Sequence, residues 1–396
     1  MKVAMLGWEF PPFMSGGLGI HCFELTRALC KLGMQIDFFM PVSGQEVHSS
    51  CPSLRIVEVA KTELRPYLFF SKSSQRASYG ENLISAVNEY WRKCEEVVLE
   101  HSKEVKYDIV HAHDWLTSKA GVAVKKKLAI PFIQTFHSTE FDRTSWPWEY
   151  ILDVERFAAE RADLIIAVSN RMKEQIMRLG APSEKIRVIY NGVDYAKFAS
   201  SPGAGKTAQD FKDGKKLVLF LGRLTEQKGP VQFLHAAKQV LSVNPNVLFV
   251  IAGKGELLPL LINMSISLGI SENVRFLGFI SEEDQKRIYK IADVYVMPST
   301  SEPFGITALE AMSSGVPVIV SKTSGVAEIA KSAIKVDFWD INKMAEKILA
   351  VLEYRPLAST MSRLAKAEAR NWGWEEAARK TLEVYQEAIA KYSTGH

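Results

Sequence analysis

The chain has few cysteines, and their arrangement excludes two classes of small stabilised fold. The four cysteines, Cys22, Cys30, Cys51 and Cys94, form no C-x-x-C pair, and no histidines with zinc-finger spacing accompany them. Disulfide frameworks belong to short chains that fold in oxidising compartments. We therefore expect a reduced, cytoplasmic protein.

Long apolar runs are also missing from the sequence. No stretch approaches the roughly 18 apolar residues that a membrane-spanning helix requires. Near the N-terminus, Glu9, Pro11 and Pro12 interrupt the first apolar run, which argues against the continuous core of a signal peptide. We expect no transmembrane segment, and peripheral contact with a membrane stays open.

Neither sign of charge dominates the chain. The 49 Lys and Arg residues are scattered among 45 Asp and Glu residues and leave a net charge of +4. Nucleic-acid binding usually needs basic residues clustered on one face. We therefore expect no nucleic acid as the main partner.

The chain does contain enough apolar sequence for two domains. Of its 396 residues, 47% are hydrophobic and 24% are charged, which is typical of globular proteins. In both halves short β-prone runs alternate with amphipathic segments, as in parallel sheets wrapped by helices. The predicted strands are residues 3–6, 36–40, 109–112, 132–136, 164–168 and 187–190, then 217–221, 247–251, 274–277, 294–297, 316–320 and 333–336. This pattern predicts an α/β protein with two doubly wound domains of six strands each.

A polar stretch at residues 200–214 marks the break between the halves, because it is rich in Ser, Gly, Pro and charge. Its GAGKT fragment lacks the full phosphate-loop spacing and follows no strand, so we assign it no function. We predict one domain over residues 1–193 and a second over 194–373. The helical residues 374–396 could pack on either domain.

Open parallel sheets bind ligands beyond the carboxyl ends of their strands, so two such domains facing each other would form a cleft lined by these loops. The first loop, residues 7–19 (GWEFPPFMSGGLG), leads into a helix with an apolar face at Leu25, Ala28, Leu29 and Leu32. Backbone amides at Gly16 and Gly17, unshielded by side chains, favour a phosphate there. The alternatives are a simple tight turn and a dinucleotide site, and the second lacks its G-x-G-x-x-G spacing.

Two histidine-containing segments follow neighbouring strands: residues 111–115 (HAHDW) and 135–143 (TFHSTEFDR). Their histidine and carboxylate groups can orient sugar hydroxyls. Satisfied polar residues in turns are one alternative. A zinc site formed by His111, His113 and His137 is another alternative. We expect His111 and His113 to point to the same side, however, only if both leave the end of the strand together. We expect no metal.

Two further loops follow strands of the second half. Arg223 and Lys228 lie in residues 222–229 (GRLTEQKG), and two cations suit a departing diphosphate. Glu302 and Glu310 bracket a helix start in residues 299–310 (STSEPFGITALE), where the amides of residues 305–308 would face phosphates. Glu302 can accept hydrogen bonds from sugar hydroxyls, and Glu310 can bind a ribose. For Glu310 the alternative is a capping box with Thr307.

In this order, these segments resemble the retaining GT-B glycosyltransferases of families 4 and 5, the group of glycogen and sucrose synthases. The E-x7-E element of that group matches Glu302 and Glu310, and its R-x4-K element matches Arg223 and Lys228. HAHDW looks like the glycogen and starch synthase form and would bring Asp114 into the active site. The resemblance also implies two Rossmann-like domains facing across a cleft, with residues 374–396 crossing back to the first.

The resemblance implies roles for individual residues. It implies catalytic roles for His137, Glu302, Arg223 and Lys228. It implies binding of the sugar donor by Gly16, Gly17, Asp114, Phe304, Gly305, Ile306, Thr307 and Glu310. It also implies same-face attack assisted by the departing phosphate, with no metal and no cofactor, since the nucleotide sugar is a substrate.

We therefore expect a hexosyltransferase that moves glucose from ADP-glucose or UDP-glucose to a glycan, in the manner of glycogen synthase. Aromatic residues that could stack on sugar rings crowd the first domain's loops: Trp8, Phe13, Trp115, Phe141, Trp146 and Trp148. Core packing explains them equally well.

Another nucleotide sugar, such as GDP-mannose, with a lipid or small-molecule acceptor remains an alternative. An epimerase or phosphorylase-like enzyme and a non-catalytic protein that binds nucleotide sugars are alternatives from other classes.

Overall fold

The computed structural model describes residues 1–12, 16–42, 47, 49, 51–61, 81–200 and 211–394. The chain divides into two compact units: unit 1 is Met1–Asn191 with Trp374–His396, and unit 2 is Gly192–Gly373. The GAGKT fragment at residues 203–207 and Phe13 lie outside the described residues.

Unit 1 is built on a seven-stranded parallel sheet. Its strands are β1 (Lys2–Leu6), β2 (Gln35–Val42), β3 (Leu54–Lys61), β4 (Ile109–His113), β5 (Phe132–Phe136), β6 (Leu164–Ala167) and β7 (Ile186–Val188). They pair in the order β3-β2-β1-β4-β5-β6-β7, so the strand order reverses between β1 and β4. The predicted number of six strands is wrong for this unit, because the sheet has a seventh strand, β3, at its edge.

Helices follow most of these strands: α1 (Gly17–Lys31), α2 (Glu81–His101), α3 (Trp115–Leu128), α4 (Glu140–Arg143), α5 (Glu149–Arg161) and α6 (Asn170–Arg178). Helix α1 buries Leu25, Ala28 and Leu29, as expected. Leu32 is 42% exposed, contrary to expectation, because the helix ends at Lys31. Gly33 then takes the left-handed conformation that glycine favours at helix ends, with φ +81°.

Unit 2 contains a six-stranded parallel sheet. Its strands are β8 (Lys216–Leu221), β9 (Val247–Ala252), β10 (Val274–Gly278), β11 (Val294–Met297), β12 (Val318–Ser321) and β13 (Ile334–Val336), in the order β10-β9-β8-β11-β12-β13. The order reverses between β8 and β11. Every residue of β9 is buried, because helices cover both faces of a parallel sheet.

The helices of unit 2 are α7 (Tyr195–Ala199), α8 (Pro230–Val243), α9 (Leu258–Ser267), α10 (Glu282–Ile291), α11 (Ile306–Ser314), α12 (Ile341–Glu353) and α13 (Arg355–Ala369). Phe233 from α8 packs with Val218 and Phe249 from the sheet in one apolar core. Gly315, with φ +80°, ends α11, as the sequence indicates. The two units together confirm the doubly wound α/β prediction.

The last helix, α14 (Trp374–Thr394), belongs to unit 1 and packs against α1. Its Tyr385 is fully buried, and the hydroxyl oxygen lies 2.7 Å from Nδ1 of His111. Neither α14 nor any other helix in the described part of the chain is long and apolar enough to cross a bilayer.

Candidate functional site

The predicted residues of unit 1 follow β1, β4 and β5 at the carboxyl edge of its sheet. Gly16 caps α1, and a Cβ there would meet no atom within 4 Å, so packing does not require glycine at this position. Gly17 is the first residue of α1 and is exposed. At Gly7 a Cβ would lie 2.0 Å from the Phe38 ring, so packing accounts for that glycine.

Asp114 ties the ends of two strands together. It lies between β4 and α3 with φ 57°, and it is only 2% exposed. Its Oδ1 accepts the backbone N–H of His137 at 2.6 Å and that of Ser138 at 3.4 Å. Burial raises the pKa of Asp114 to about 6, while those N–H groups and Arg143 oppose the rise. The Asp114 side chain therefore positions the loop that carries His137.

His137 lies in a cluster of histidines. Its Nε2 is 3.1 Å from Nδ1 of His113, and its ring centroid is 4.2 Å from that of His21. Burial lowers the pKa of His137 well below the usual range and favours the neutral ring. A neutral imidazole can donate one hydrogen bond and accept another, as an orienting group for sugar hydroxyls must.

We expected His111 and His113 to lie on the same side only if both left the end of the strand, and this expectation is wrong. Both lie within β4, and residues two apart in a strand point to the same face. Their ring centroids are 4.3 Å apart. However, Nδ1 of His111 contacts the Tyr385 hydroxyl and Nε2 contacts Oγ1 of Thr135, so both of its nitrogens are engaged.

Sequence reasoning missed the buried ion pairs beneath this loop. Arg143 donates to Oγ of Ser138 at 2.8 Å and to Oε2 of Glu140 at 3.0 Å, and it also pairs with Glu155. The two oxygens of Glu155 accept the backbone N–H of Glu140. Burial raises the pKa of Glu155 to about 7, although Arg143 opposes the rise. The motif TFHSTEFDR contained Arg143 and Glu140, but Glu155 lies beyond it.

In unit 2 the structure brings together two residues from separate motifs. Nζ of Lys228 lies 2.6 Å from Oε2 of Glu302. The preceding strands β8 and β11 are neighbours, so their loops meet at one edge of the sheet. Gly229 permits this approach, because with φ +71° a Cβ there would lie 2.1 Å from the carbonyl oxygen of Pro298. Arg223 lies half-buried in the loop after β8.

The Glu302 loop is fixed by the segment after β12. Gly325 donates its N–H to the Glu302 carbonyl at 2.9 Å, and Val326 donates to that of Phe304 at 2.7 Å. Glu302 and Phe304 are 7% and 3% exposed. The loop therefore presents Glu302 from a rigid backbone.

Helix α11 begins directly after this loop, with Gly305 as its N-cap at φ 106°. A Cβ at Gly305 would meet Sδ of Met297 at 3.1 Å. Ile306 is buried, and Oγ1 of Thr307 accepts a hydrogen bond from the Tyr295 hydroxyl at 2.8 Å. The amide of Ala308 donates to the Gly305 carbonyl, so it is already engaged.

Glu310 does not cap α11, and the capping-box alternative is wrong. The N-cap is Gly305, with no side-chain cap hydrogen bond. Instead, Oε2 of Glu310 accepts hydrogen bonds from the Gln285 amide and, at 3.2 Å, from the Tyr289 hydroxyl. Burial raises the pKa of Glu310 to about 7, and those two hydrogen bonds oppose the rise.

The aromatic residues of unit 1 separate into two groups. Trp8 and Trp115 are each 1% exposed and belong to the core, so they offer no platform for a sugar ring. Trp146 is 89% exposed and Trp148 is 39% exposed. The Phe141 ring is covered by the Arg178 guanidinium, 4.3 Å from the ring centroid.

Two family models match this chain. "Glycosyltransferase Family 4" matches residues 15–197, which include Gly16, Asp114 and His137. "Glycosyl transferases group 1" matches residues 206–368, which include Arg223, Lys228, Glu302 and Glu310.

Similar proteins cover almost the whole chain. An uncharacterized glycosyltransferase of Methanocaldococcus jannaschii is 30% identical, over 98% of this chain and 99% of its own. Glycogen synthase of Mycobacterium tuberculosis is 27% identical, over 97% and 94%. D-inositol 3-phosphate glycosyltransferase of Corynebacterium efficiens is 26% identical, over 100% and 97%. Among solved structures, Anabaena Alr3699/HepE in complex with UDP and glucose matches with a TM-score of 0.76 at 19% identity, over 98% of this chain and 100% of its own.

Proposed function

The chain belongs to the GT-B glycosyltransferases of group 1, and we propose that it transfers glucose from ADP-glucose or UDP-glucose to an α-glucan, with retention of configuration. The likeness to a glycogen synthase along nearly the whole chain supports the glucan acceptor. The fold shared with a protein solved with UDP and glucose supports a glucosyl donor.

The observation that carries the proposal is the contact between Lys228 and Glu302 beside the N-terminus of α11. A helix N-terminus favours phosphate, and a lysine held nearby adds a positive charge. Arg223 lies in the same loop after β8 as Lys228 and supplies a planar guanidinium. These groups suit a diphosphate whose negative charge grows as it leaves.

We propose that transfer occurs on one face of the sugar. The bond from the anomeric carbon to the phosphate oxygen breaks while the acceptor hydroxyl oxygen bonds to that carbon from the same side. The acceptor proton passes to the departing phosphate oxygen, which balances the charge. In this reaction Lys228, Arg223 and the helix, without a divalent metal, stabilise the leaving group.

His137 and Glu310 would bind the rest of the sugar donor. The neutral His137 ring would share a hydrogen bond with a sugar hydroxyl, and Asp114 holds the loop that presents it. The Glu310 carboxylate would accept hydrogen bonds from the ribose hydroxyls. Glu302 has one oxygen at Lys228, which leaves its second oxygen for the sugar.

The test is transfer of labelled sugar from ADP-glucose, UDP-glucose and GDP-mannose, each with glycogen and with D-inositol 3-phosphate. We expect label in glycogen from at least one glucose donor. Glu302→Gln should lower the rate by about 100-fold or more, because it weakens interactions made in the transition state. Glu353→Gln, an exposed change of the same kind, should transfer as the wild type does.

A small-molecule acceptor is the second candidate, because the D-inositol 3-phosphate enzyme is nearly as similar as the glycogen synthase. Label in D-inositol 3-phosphate and none in glycogen would reject the glucan acceptor. Label from GDP-mannose alone would reject the glucose donor. No transfer from any donor to either acceptor would contradict both parts of the proposal.

A further inference from the structure

Three histidines from separate elements of unit 1 converge on one point. His21 comes from α1, His113 from β4 and His137 from the loop after β5. One ring nitrogen from each lies within 4.8 Å of the others. We propose that these three histidines bind a transition-metal dication such as Zn²⁺, and that the bound metal inhibits sugar transfer.

The spacing of two of the ligand atoms is close to that of a metal site. Nδ1 of His113 and Nε2 of His137 are 3.1 Å apart. In a tetrahedral zinc site with bonds of about 2.0–2.1 Å, two ligand nitrogens lie about 3.3 Å apart. The two rings would need to move apart only slightly for a metal to replace the proton that they share.

His21 already has the hydrogen bond of a metal ligand. Its Nδ1 lies 2.8 Å from Oδ1 of Asn191, and an amide oxygen only accepts hydrogen bonds, so Nδ1 carries the proton. The lone pair is therefore on Nε2, which is buried and has no hydrogen-bond partner among the described residues. Metal-bound histidines typically donate their other N–H to such an oxygen.

The protonation state also suits a metal. Burial lowers the pKa of His21 to about 4 and shifts those of His113 and His137 in the same direction. All three rings are therefore neutral at pH 7, as ligation requires. One ring of the His113–His137 pair changes tautomer when the metal enters, and no proton is released.

The proposed ligands differ from the zinc site considered in the sequence analysis, which consisted of His111, His113 and His137. His111 has both nitrogens engaged by Tyr385 and Thr135, whereas His21 replaces it. Three protein ligands leave a fourth tetrahedral position for water. His137 is the least buried of the three residues, so we expect the metal to enter from its side.

Inhibition follows because the same residue, His137, would bind both the donor sugar and the metal. This part of the inference rests on the proposed function. A metal on Nε2 of His137, the nitrogen that faces His113, fixes the orientation of the ring, so that the ring cannot adjust to a sugar hydroxyl. It also places two positive charges beside that hydroxyl. Metal binding itself does not depend on the reaction that the chain catalyses.

The first test is Co²⁺ binding by the full chain after treatment with a chelator, followed by visible absorption. We expect one Co²⁺ per chain, with nitrogen-ligand bands and no thiolate charge-transfer band. His21→Gln and His113→Gln should each weaken binding by at least about 100-fold, and Asn191→Ala by about 10-fold. His235→Gln changes an exposed histidine of unit 2 and should bind as the wild type does. Unchanged affinity in His21→Gln and His113→Gln, or no binding by the wild type, would overturn the site.

A second measurement needs no variant, since the buried substitutions could unfold the chain. X-ray absorption of the Zn²⁺ form counts the imidazole ligands directly. Three imidazoles and one further oxygen ligand support the site. Two imidazoles or fewer overturn it.

The inhibition is tested by adding Zn²⁺ to the transfer assay and then removing it with a chelator. We expect loss and recovery of activity in the wild type and in His235→Gln, and no sensitivity to Zn²⁺ in His21→Gln, whatever its basal rate. Zn²⁺ that binds without slowing transfer rejects the inhibition. Absence of any transferase activity refutes the proposed function but leaves the Co²⁺ result intact.

Discussion

The ammonium nitrogen of Lys228 lies 2.6 Å from a carboxylate oxygen of Glu302, although 74 residues separate them in the sequence. Their side chains are 20% and 10% exposed. The contact holds both residues in place before any ligand arrives. Pre-arranged charges of this kind lower a barrier because they need little reorganisation during the reaction.

Removal of the lysine should lower both the rate of transfer and the stability of the chain. For Lys228→Ala we expect kcat to fall by about 100-fold to 1,000-fold, because a charge that stabilises the leaving phosphate is lost. The free energy of unfolding should fall by about 1–3 kcal/mol, because the largely buried Glu302 loses its charge partner. Steady-state kinetics and urea denaturation measure the two effects. The control is Lys286→Ala, which breaks the ion pairs that Lys286 makes with Glu282 and Glu283 within α10. This variant should keep the kcat of the wild type.

The buried Arg143 should matter mainly for stability. Its side chain is 7% exposed, and Arg143→Met leaves Glu155 buried without its cation. We expect a loss of about 3–5 kcal/mol in the free energy of unfolding, because an uncompensated buried charge is costly. Arg156→Met removes two exposed ion pairs, with Glu149 and Asp153, and should cost less than about 1 kcal/mol. Equal losses in the two variants, measured by urea denaturation, would contradict this assignment.

Glu310 should make the protein less stable as pH rises. Its pKa in the folded chain is about 7, raised by burial from 4.5. Between these values the folded state holds a proton that the unfolded state has released, so stability is present at low pH and falls as pH increases towards 7. The contribution is up to about 3 kcal/mol. Unfolding of the wild type and Glu310→Gln at pH 5 and pH 7.5 measures it: the variant should show a smaller decrease, and identical slopes would refute the prediction.

Gly229 should be far less tolerant of a side chain than another glycine of the same conformation. Gly229 and Gly269 have φ +71° and +67°, but only at Gly229 would a Cβ meet backbone, the Pro298 carbonyl at 2.1 Å. Gly269→Ala should cost about 1 kcal/mol from backbone strain alone. Gly229→Ala should cost more, and it should slow transfer by at least about 10-fold because it displaces the neighbouring Lys228. Thermal unfolding and kinetics on both variants decide this, and equal behaviour would contradict it.

The sequence predicted the fold well because buried parallel strands are continuous apolar runs. The second sheet has its six strands where the pattern indicated, within two residues at each end. The missed strand β3 lies at the edge of its sheet, and its polar residues Arg55, Glu58 and Lys61 interrupt the apolar run. Edge strands have one neighbour, so their sequences carry a weaker signal.

The sequence placed the candidate residues at strand ends, but it could not show which of their side chains are in contact. Lys228 and Glu302 were separate predictions, and only the pairing of β8 with β11 brings them together. His21 was missed because it lies on a helix face that reads as ordinary core. Its partner Asn191 is 170 residues away, and no local pattern indicates such a contact.

The most direct test of retaining glucosyl transfer is proton NMR of the product made from UDP-α-glucose or ADP-α-glucose and maltooligosaccharide. The account predicts chains lengthened by α-linked glucose, with one nucleoside diphosphate released for each sugar added. New β-linked residues, or nucleotide release that yields only free glucose, would contradict it.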